Sequence, residues 1–307
     1  MNSSILITDE NFGTASLVQW EHELGFIYSS RNAARDPGNM WLRAVSDSSK
    51  VGEAIRKGEY IDVMKYLTHT FAWILTTTHK LTEYKYDDVP ALLGIDHRAL
   101  TSTWDCLVEK YPGICPYCAV KVGCQCGVIR EEMENETKAE RRLRLAQNRQ
   151  NVRRTAEMND ELDKSVIGIT KMFDRIYGHT HYGVDMDKIA FHMLEEVGEV
   201  AWCLTSLREG TRTNDDSAPL SVQLAEEIAD TVAWSFAIIG KIRNLYTRAR
   251  KLEMLKDLDP GSATDKTEAV GEEYGLLPRW LWTTFDGPKA GYLRCPGCHR
   301  RPCSCGQ

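Results

Sequence analysis

Leu194-Glu195-Glu196-Val197-Gly198-Glu199-Val200-Ala201 and, downstream, Leu224-Ala225-Glu226-Glu227-Ile228-Ala229-Asp230-Thr231-Val232 decide how the chain is read. Both segments alternate apolar residues and carboxylates at helical spacing. Residues three or four apart share a helix face, which sets Glu196 beside Glu199 and Glu227 beside Asp230, with Glu195 able to join Glu199. Two such helices packed antiparallel converge four or five carboxylates on one point. Like charges that close call for a cation between them, and oxygen-only ligands suit magnesium or manganese rather than zinc. The bland reading is a pair of solvated amphipathic faces. Against it, Leu194, Val197, Val200, Ile228, Val232 and Trp234 leave little room for a wide polar face, so some of the acids lie near a packed core.

Working outward, the 307 residues suffice for two domains of ordinary size, and 42% hydrophobic with 27% charged residues is the composition of a soluble globular chain. A net charge of −6 gives no general attraction to nucleic acid or anionic membrane. Met1 to Thr14 lacks the basic and apolar regions of a signal peptide, and the longest nearly apolar run, Val232 to Gly240, is too short to span a bilayer. The expectation is a cytoplasmic protein with no membrane partner and no clear nucleic-acid partner. In a reducing compartment, clustered cysteines bind metal more often than they form disulfides.

Helical spacing predicts segments over Leu17 to Asn32, Met40 to about Arg56, Tyr60 to about His79 and Ile95 to Tyr111, and no strand-like alternation persists. Asp36-Pro37-Gly38 and Asp87-Asp88-Val89-Pro90 are the breaks. Cys115, Cys118, Cys124 and Cys126 follow within a dozen residues, a spacing that suits a tetrahedral thiolate site, most simply structural zinc. The densely charged stretch Glu131 to Lys164 reads as a solvated helical linker. A helix over Val166 to Tyr177 and a turn at Gly178 to Gly183 lead into the carboxylate helices, the second of which continues to about Leu255. The stretch from Asp259 to Glu273 reads as a mobile loop. Cys295, Cys298, Cys303 and Cys305 then repeat the earlier cluster with one residue fewer between the pairs.

The repetition extends further. Val51-Gly52-Glu53-Ala54 matches Val197-Gly198-Glu199-Val200, and His69-Thr70-Phe71-Ala72-Trp73 matches Asp230-Thr231-Val232-Ala233-Trp234, in the same order. The chain therefore reads as an all-α tandem duplication: 1–130 a degenerate half, 131–164 the linker, 165–307 the intact half, each half a helical bundle followed by a four-cysteine zinc knuckle. In the first half Ser49 and Lys50 face Glu195 and Glu196, Glu53 faces Glu199, Tyr66 faces Glu227 and His69 faces Asp230. One acid survives there, with Lys50 and Lys65 nearby, so that half is not expected to hold a divalent cation in the same way.

With these residues in view, the second half resembles the MazG-like all-α nucleoside triphosphate pyrophosphohydrolases, whose Glu-Glu-x-x-Glu and Glu-x-x-Asp pattern is met by Glu195, Glu196, Glu199, Glu227 and Asp230 over roughly Val166 to Arg250. The resemblance implies hydrolysis of a ribo- or deoxyribonucleoside triphosphate to the monophosphate and pyrophosphate. It implies magnesium, or manganese, on Glu196, Glu199, Glu227 and Asp230, with Glu195 the candidate for orienting or deprotonating the water. Lys241, Arg243 and Lys289 are candidates for phosphate contact, each equally readable as a solvated cation. Trp73 and Trp234 read as core residues, His192 as an interior or boundary histidine, and Cys106 and Cys203 as buried small hydrophobes. The stretch Ser206 to Ser221 reads as a loop that gates the site or is a tolerated insertion. The first half could serve as a built-in partner for the second; the oligomeric state is left open, a homo-oligomer included. The alternative function is a non-catalytic nucleotide sensor or zinc-containing scaffold for protein or nucleic acid. A phosphoribosyl-ATP pyrophosphatase is a third reading, ranked lower because those proteins are compact single units.

Overall fold

A computed structural model of the chain describes residues 6–83, 102–127, 137, 140, 143, 147, 162–210, 220–256 and 274–305. Among these residues the fold is helical and without strands, and its extended pairings are two isolated bridges, Thr8 with Tyr292 and Ser16 with Ser165. No helix among them is long and apolar enough to cross a membrane.

Capping chemistry sets most helix ends. Helix α1 (Leu17–Asn32) starts at a capping box in which the Ser16 hydroxyl accepts from Gln19 N and the Gln19 side chain accepts from Ser16 N. Helix α2 (Pro37–Lys57) starts with Asp36 accepting from Gly38 N and Asn39 N and with proline at its first position, where no N–H is needed. It ends at Gly58, whose φ of 73° is the left-handed conformation that glycine adopts without strain. After α3 (Tyr60–Glu83) and the short α4 (Thr103–Lys110) come α5 (Val166–Tyr182), capped by Ser165, then α6 (Met186–Glu209), α7 (Leu220–Lys256), α8 (Leu276–Thr284) and the single turn α9 (Gly287–Ala290).

The packing pattern recurs along the chain. Helix α2 lies on α3 as α6 lies on α7, α1 on α3 as α5 on α7, while α2 meets α6 and α3 meets α7 across the middle. The buried Trp41 of α2 donates its indole N–H to the Val197 carbonyl of α6 at 2.8 Å, and Phe71 of α3 meets Phe236 of α7 edge-on at 5.7 Å. These contacts bury a continuous apolar core running through both halves.

The cysteine clusters are exchanged. Helix α4, which leads into the first cluster, packs on α7, and α8, which leads into the second, packs on α3. Cys124 N donates to the Ile176 carbonyl of α5 at 2.7 Å, and Cys303 N donates to the Ile27 carbonyl of α1 at 2.6 Å. The Cys124 carbonyl lies 3.0 Å from His179 Nε2, and the Cys303 carbonyl accepts from the Ser30 hydroxyl at 2.5 Å. Each cluster thus clamps a helix other than the one that leads into it, the first α5 and the second α1. An arginine of the second cluster, Arg301, adds a 2.5 Å ion pair to the buried Glu23 of α1.

Several boundaries differ from sequence expectation. The helix predicted over Ile95 to Tyr111 is described only from Thr103, and residues 84–101 lie outside the described residues. No turn interrupts Gly178 to Gly183: α5 runs to Tyr182 although Gly178 and its neighbours are weak helix formers, and the first cysteine loop holds this end through Ile176 and His179. The predicted loop from Ser206 is helical to Glu209, where Gly210 at φ 63° stops α6, and α7 begins by Leu220. The linker stretch 131–164 lies almost wholly outside the described residues, as do the break at 87–90 and the loop at 259–273.

Candidate metal centres

Both cysteine clusters close. The Sγ atoms of Cys115, Cys118, Cys124 and Cys126 lie within 4.8 Å of one another, as do those of Cys295, Cys298, Cys303 and Cys305. Neighbouring sulfurs are 3.5 to 3.8 Å apart in the first cluster and 3.7 to 3.8 Å in the second. A zinc tetrahedron with bonds of about 2.3 Å has edges of about 3.8 Å, so each cluster has the dimensions of a four-thiolate site and could hold a metal such as zinc. Backbone N–H groups aim at the sulfurs: Cys126 N at Cys124, Ser304 N at Cys298 and Cys305 N at Cys303, at 3.4 to 3.5 Å. Such donors favour the thiolate form that a metal requires. The two loops share a turn in which Cys115 N bonds Val120 O and Cys295 N bonds Arg300 O, with Ala119 and His299 at φ 57° and 54° in equivalent places. Cys106 and Cys203 are buried apart from both clusters.

The third group is carboxylate. Glu196, Glu199 and Glu227 each bring one oxygen within 4.8 Å of the others. Glu196 and Glu199 come from successive turns of α6, and Glu227 from α7 across the interface. Exposed acids often cluster without consequence; here Val197, Val200, Leu224 and Ile228, next to the acids along the same two helices, are buried. Burial, then the nearby Asp230 charge, pushes Glu196 up to about 7. Burial, then the hydrogen bond with Glu196, pushes Glu227 up to about 9. Without a cation Glu196 and Glu227 hold protons that ordinary carboxyls would lose.

Sequence spacing grouped two further acids with these. Glu195 stands apart: its carboxylate points to solvent and meets His192 Nδ1 at 3.2 Å. His192 itself is exposed rather than interior, and its ring stacks on Trp234 at 4.7 Å. Trp234 is half-buried and donates its indole N–H to Glu196 at 3.3 Å, so it holds a ligand candidate as well as packing against the core. Trp73 is likewise half-buried against the core.

Asp230 is not one of the three converging acids. Its Oδ1 accepts from the Tyr111 hydroxyl at 2.6 Å, and its Oδ2 is ion-paired with the Lys110 ammonium. Both partners stand at the end of α4, immediately before the first cysteine cluster. Three residues of helix advance about 300°, so Asp230 is rotated some 60° from Glu227, enough to turn it toward α4 while Glu227 faces α6.

The predicted phosphate contacts have other surroundings. Arg243 is buried in a 2.6 Å ion pair with Asp174 and stacks over Tyr274. Lys289 is exposed, 3.7 Å from Asp286. Lys241 lines a small cavity with His181, Phe236 and Asn244. In the first half, Lys50 pairs with Asp47 at 2.8 Å and lies 5.4 Å from the Tyr66 ring, so a cation and a ring stand where the second half has Glu196 and Glu227. Sequence reasoning missed Lys110 and Tyr111, and also Glu21, a buried acid that accepts from Thr103 N at the start of α4 and that burial pushes up to about 7. No local motif marks any of them.

No protein-family model, curated protein or solved structure matches the chain.

A pH dependence follows from the carboxylate group. The folded state retains protons on Glu196 and Glu227 that the unfolded chain releases near 4.5, so stability falls as pH rises from there toward about 9. Glu21 adds to the same slope up to about 7. Thermal melts of magnesium-free protein between about pH 6 and pH 9 should show this decline, and Glu227→Gln should flatten it. A slope unchanged by that substitution would count against the shared burial of these acids.

Proposed function

We propose that the chain is a magnesium-dependent nucleoside triphosphate pyrophosphohydrolase of the MazG-like kind, built from two related helical halves of which the second keeps the metal-binding acids. The observation that carries this reading is the convergence of Glu196, Glu199 and Glu227 from two packed helices at Glu-x-x-Glu spacing. An all-oxygen group of this kind suits a hard divalent ion. Bound there, the ion would neutralise polyphosphate charge, align the phosphates and lower the pKa of the attacking water.

The chain's own residues do the rest. Trp234 fixes the Glu196 carboxylate through its indole N–H. Glu195, at the exposed rim with His192 beside it, is the group available to hold the water. The pairing of α2 with α6 supports the role of the first half as a built-in partner, since it covers the apolar face of α6 that would otherwise meet solvent. The two cysteine clusters are read as structural zinc sites that clamp the halves together.

The test is pyrophosphate release from a panel of ribo- and deoxyribonucleoside triphosphates with magnesium. The native protein should release it from at least one. Glu196→Gln, Glu199→Gln and Glu227→Gln should each lower the rate by about a hundredfold or more, at or beyond the top of the range for groups that merely support a metal ligand. Absence of release from every nucleotide by folded, zinc-loaded protein would sink the enzymatic reading, and nucleotide binding without turnover would then favour a sensor.

A further inference from the structure

We propose that Lys110, delivered from the first half, is a resident cation of the carboxylate site, and that the site therefore loads a single divalent ion, through Glu196, Glu199 and Glu227 and without Asp230. This rests on the reading of those three acids as metal ligands and adds what the fourth acid does.

Both oxygens of Asp230 are engaged, one by the Tyr111 hydroxyl at 2.6 Å and the other by the Lys110 ammonium. The Lys110 and Asp230 side chains are 10% and 11% exposed, so solvent does not screen the pair as it does surface ion pairs. Lys110 is the last residue of α4, and the next residue, Tyr111, is buried edge-on against Phe173 and Tyr177 of α5. Four residues further on, Cys115 begins the cluster anchored to α5 through Cys124. A lysine held at both ends in this way lacks the freedom of a surface side chain to withdraw. A second divalent ion on Asp230 would meet the ammonium at contact distance, and like charges so close in a buried setting repel strongly.

The arrangement suits an anionic substrate. An ammonium has three N–H donors, so Lys110 can keep Asp230 and still offer a donor to a phosphoryl oxygen. Its charge is also supplied by a residue outside the half that carries the acids, which makes the site a product of both halves.

Manganese, read by its electron paramagnetic resonance, tests this on full-length, zinc-loaded protein without reference to turnover. The native chain should bind one manganese ion. Glu196→Gln should lose it, whereas Asp230→Asn should keep it with affinity reduced no more than about tenfold, the lower end of the range for removing a supporting group. Lys110→Met, with two zinc ions retained and native near-ultraviolet circular dichroism as the check on folding, should bind manganese more tightly or take up a second ion. Two ions on the native chain, loss of manganese in Asp230→Asn equal to that in Glu196→Gln, or weaker binding by folded Lys110→Met would each overturn the proposal. If Lys110→Met does not fold, the contrast between Asp230→Asn and Glu196→Gln decides alone. Native protein that binds no manganese would instead remove the metal-site reading on which the proposal stands.

Discussion

The double substitution Cys115→Ser with Cys124→Ser is expected to halve the zinc content, from two ions per chain to one, and to lower the melting temperature by more than about 10 °C. Loading a structural zinc is worth on the order of 10 kcal/mol in zinc-finger peptides, and even half of that rivals the net stability of a typical domain. For a chain of this size each kcal/mol moves the midpoint by roughly 1.5 °C, so a loss on the order of 10 kcal/mol moves it by more than about 10 °C. The loss would not stay local. Without its clamp the segment bearing Lys110 and Tyr111 is released from α5, and Asp230 loses both partners. Zinc released to a colorimetric chelator, read beside a thermal melt, checks both parts. Retention of two ions, or an unchanged midpoint, would show that the first cluster does not brace the fold.

Trp41→Ala should be the most damaging single change in the core, at about 3–5 kcal/mol by the usual cost of truncating a buried aromatic. Trp41 is 1% exposed and spans the seam between α2 and α6. Its indole N–H reaches the Val197 carbonyl, on the residue that follows Glu196 and precedes Gly198 and Glu199. Trp41→Phe keeps most of the buried area and loses that hydrogen bond, for about 1 kcal/mol. Urea denaturation should therefore rank native above Trp41→Phe above Trp41→Ala. Equal midpoints for the two variants would mean that the hydrogen bond, rather than the filled volume, holds the seam.

Most helices were legible because their ends are written in local chemistry. Ser16 with Gln19, Asp36 with Pro37, and the glycines at 58 and 210 act within four residues of themselves. The convergence of Glu196, Glu199 and Glu227 was legible for the same reason, since helical spacing fixes which side chains share a face. The partners of Asp230 were not legible, because spacing gives an angle about the axis and says nothing of the neighbour on that side. That neighbour, Lys110, is 120 residues away in sequence. The anchoring of the cysteine clusters was hidden in the same manner, since the helix that holds each one, α5 or α1, is not the helix that leads into it. A trace does exist in retrospect. Ser16 and Ser165, Ile27 and Ile176, and Ser30 and His179 are each 149 residues apart, and each pair plays matching roles. Glu21 and Glu23 look like ordinary surface acids until Thr103 and Arg301, 82 and 278 residues away, are brought to them.

That anchoring also bears on how the molecule comes into being. On the ribosome α1 is made long before the residues that cap its carbonyl at Ile27, engage Ser30 and neutralise the buried Glu23, which lie 273 to 278 residues downstream of it. Until they are made, α1 packs on α3 while its Glu23 carboxylate lacks its cationic partner and its Ile27 carbonyl lacks the Cys303 N–H. Closing so long a loop is slow, and it precedes the contacts that reward it. The second cluster is thus a late clasp on α1, and a chain interrupted before it would leave the buried Glu23 without its arginine.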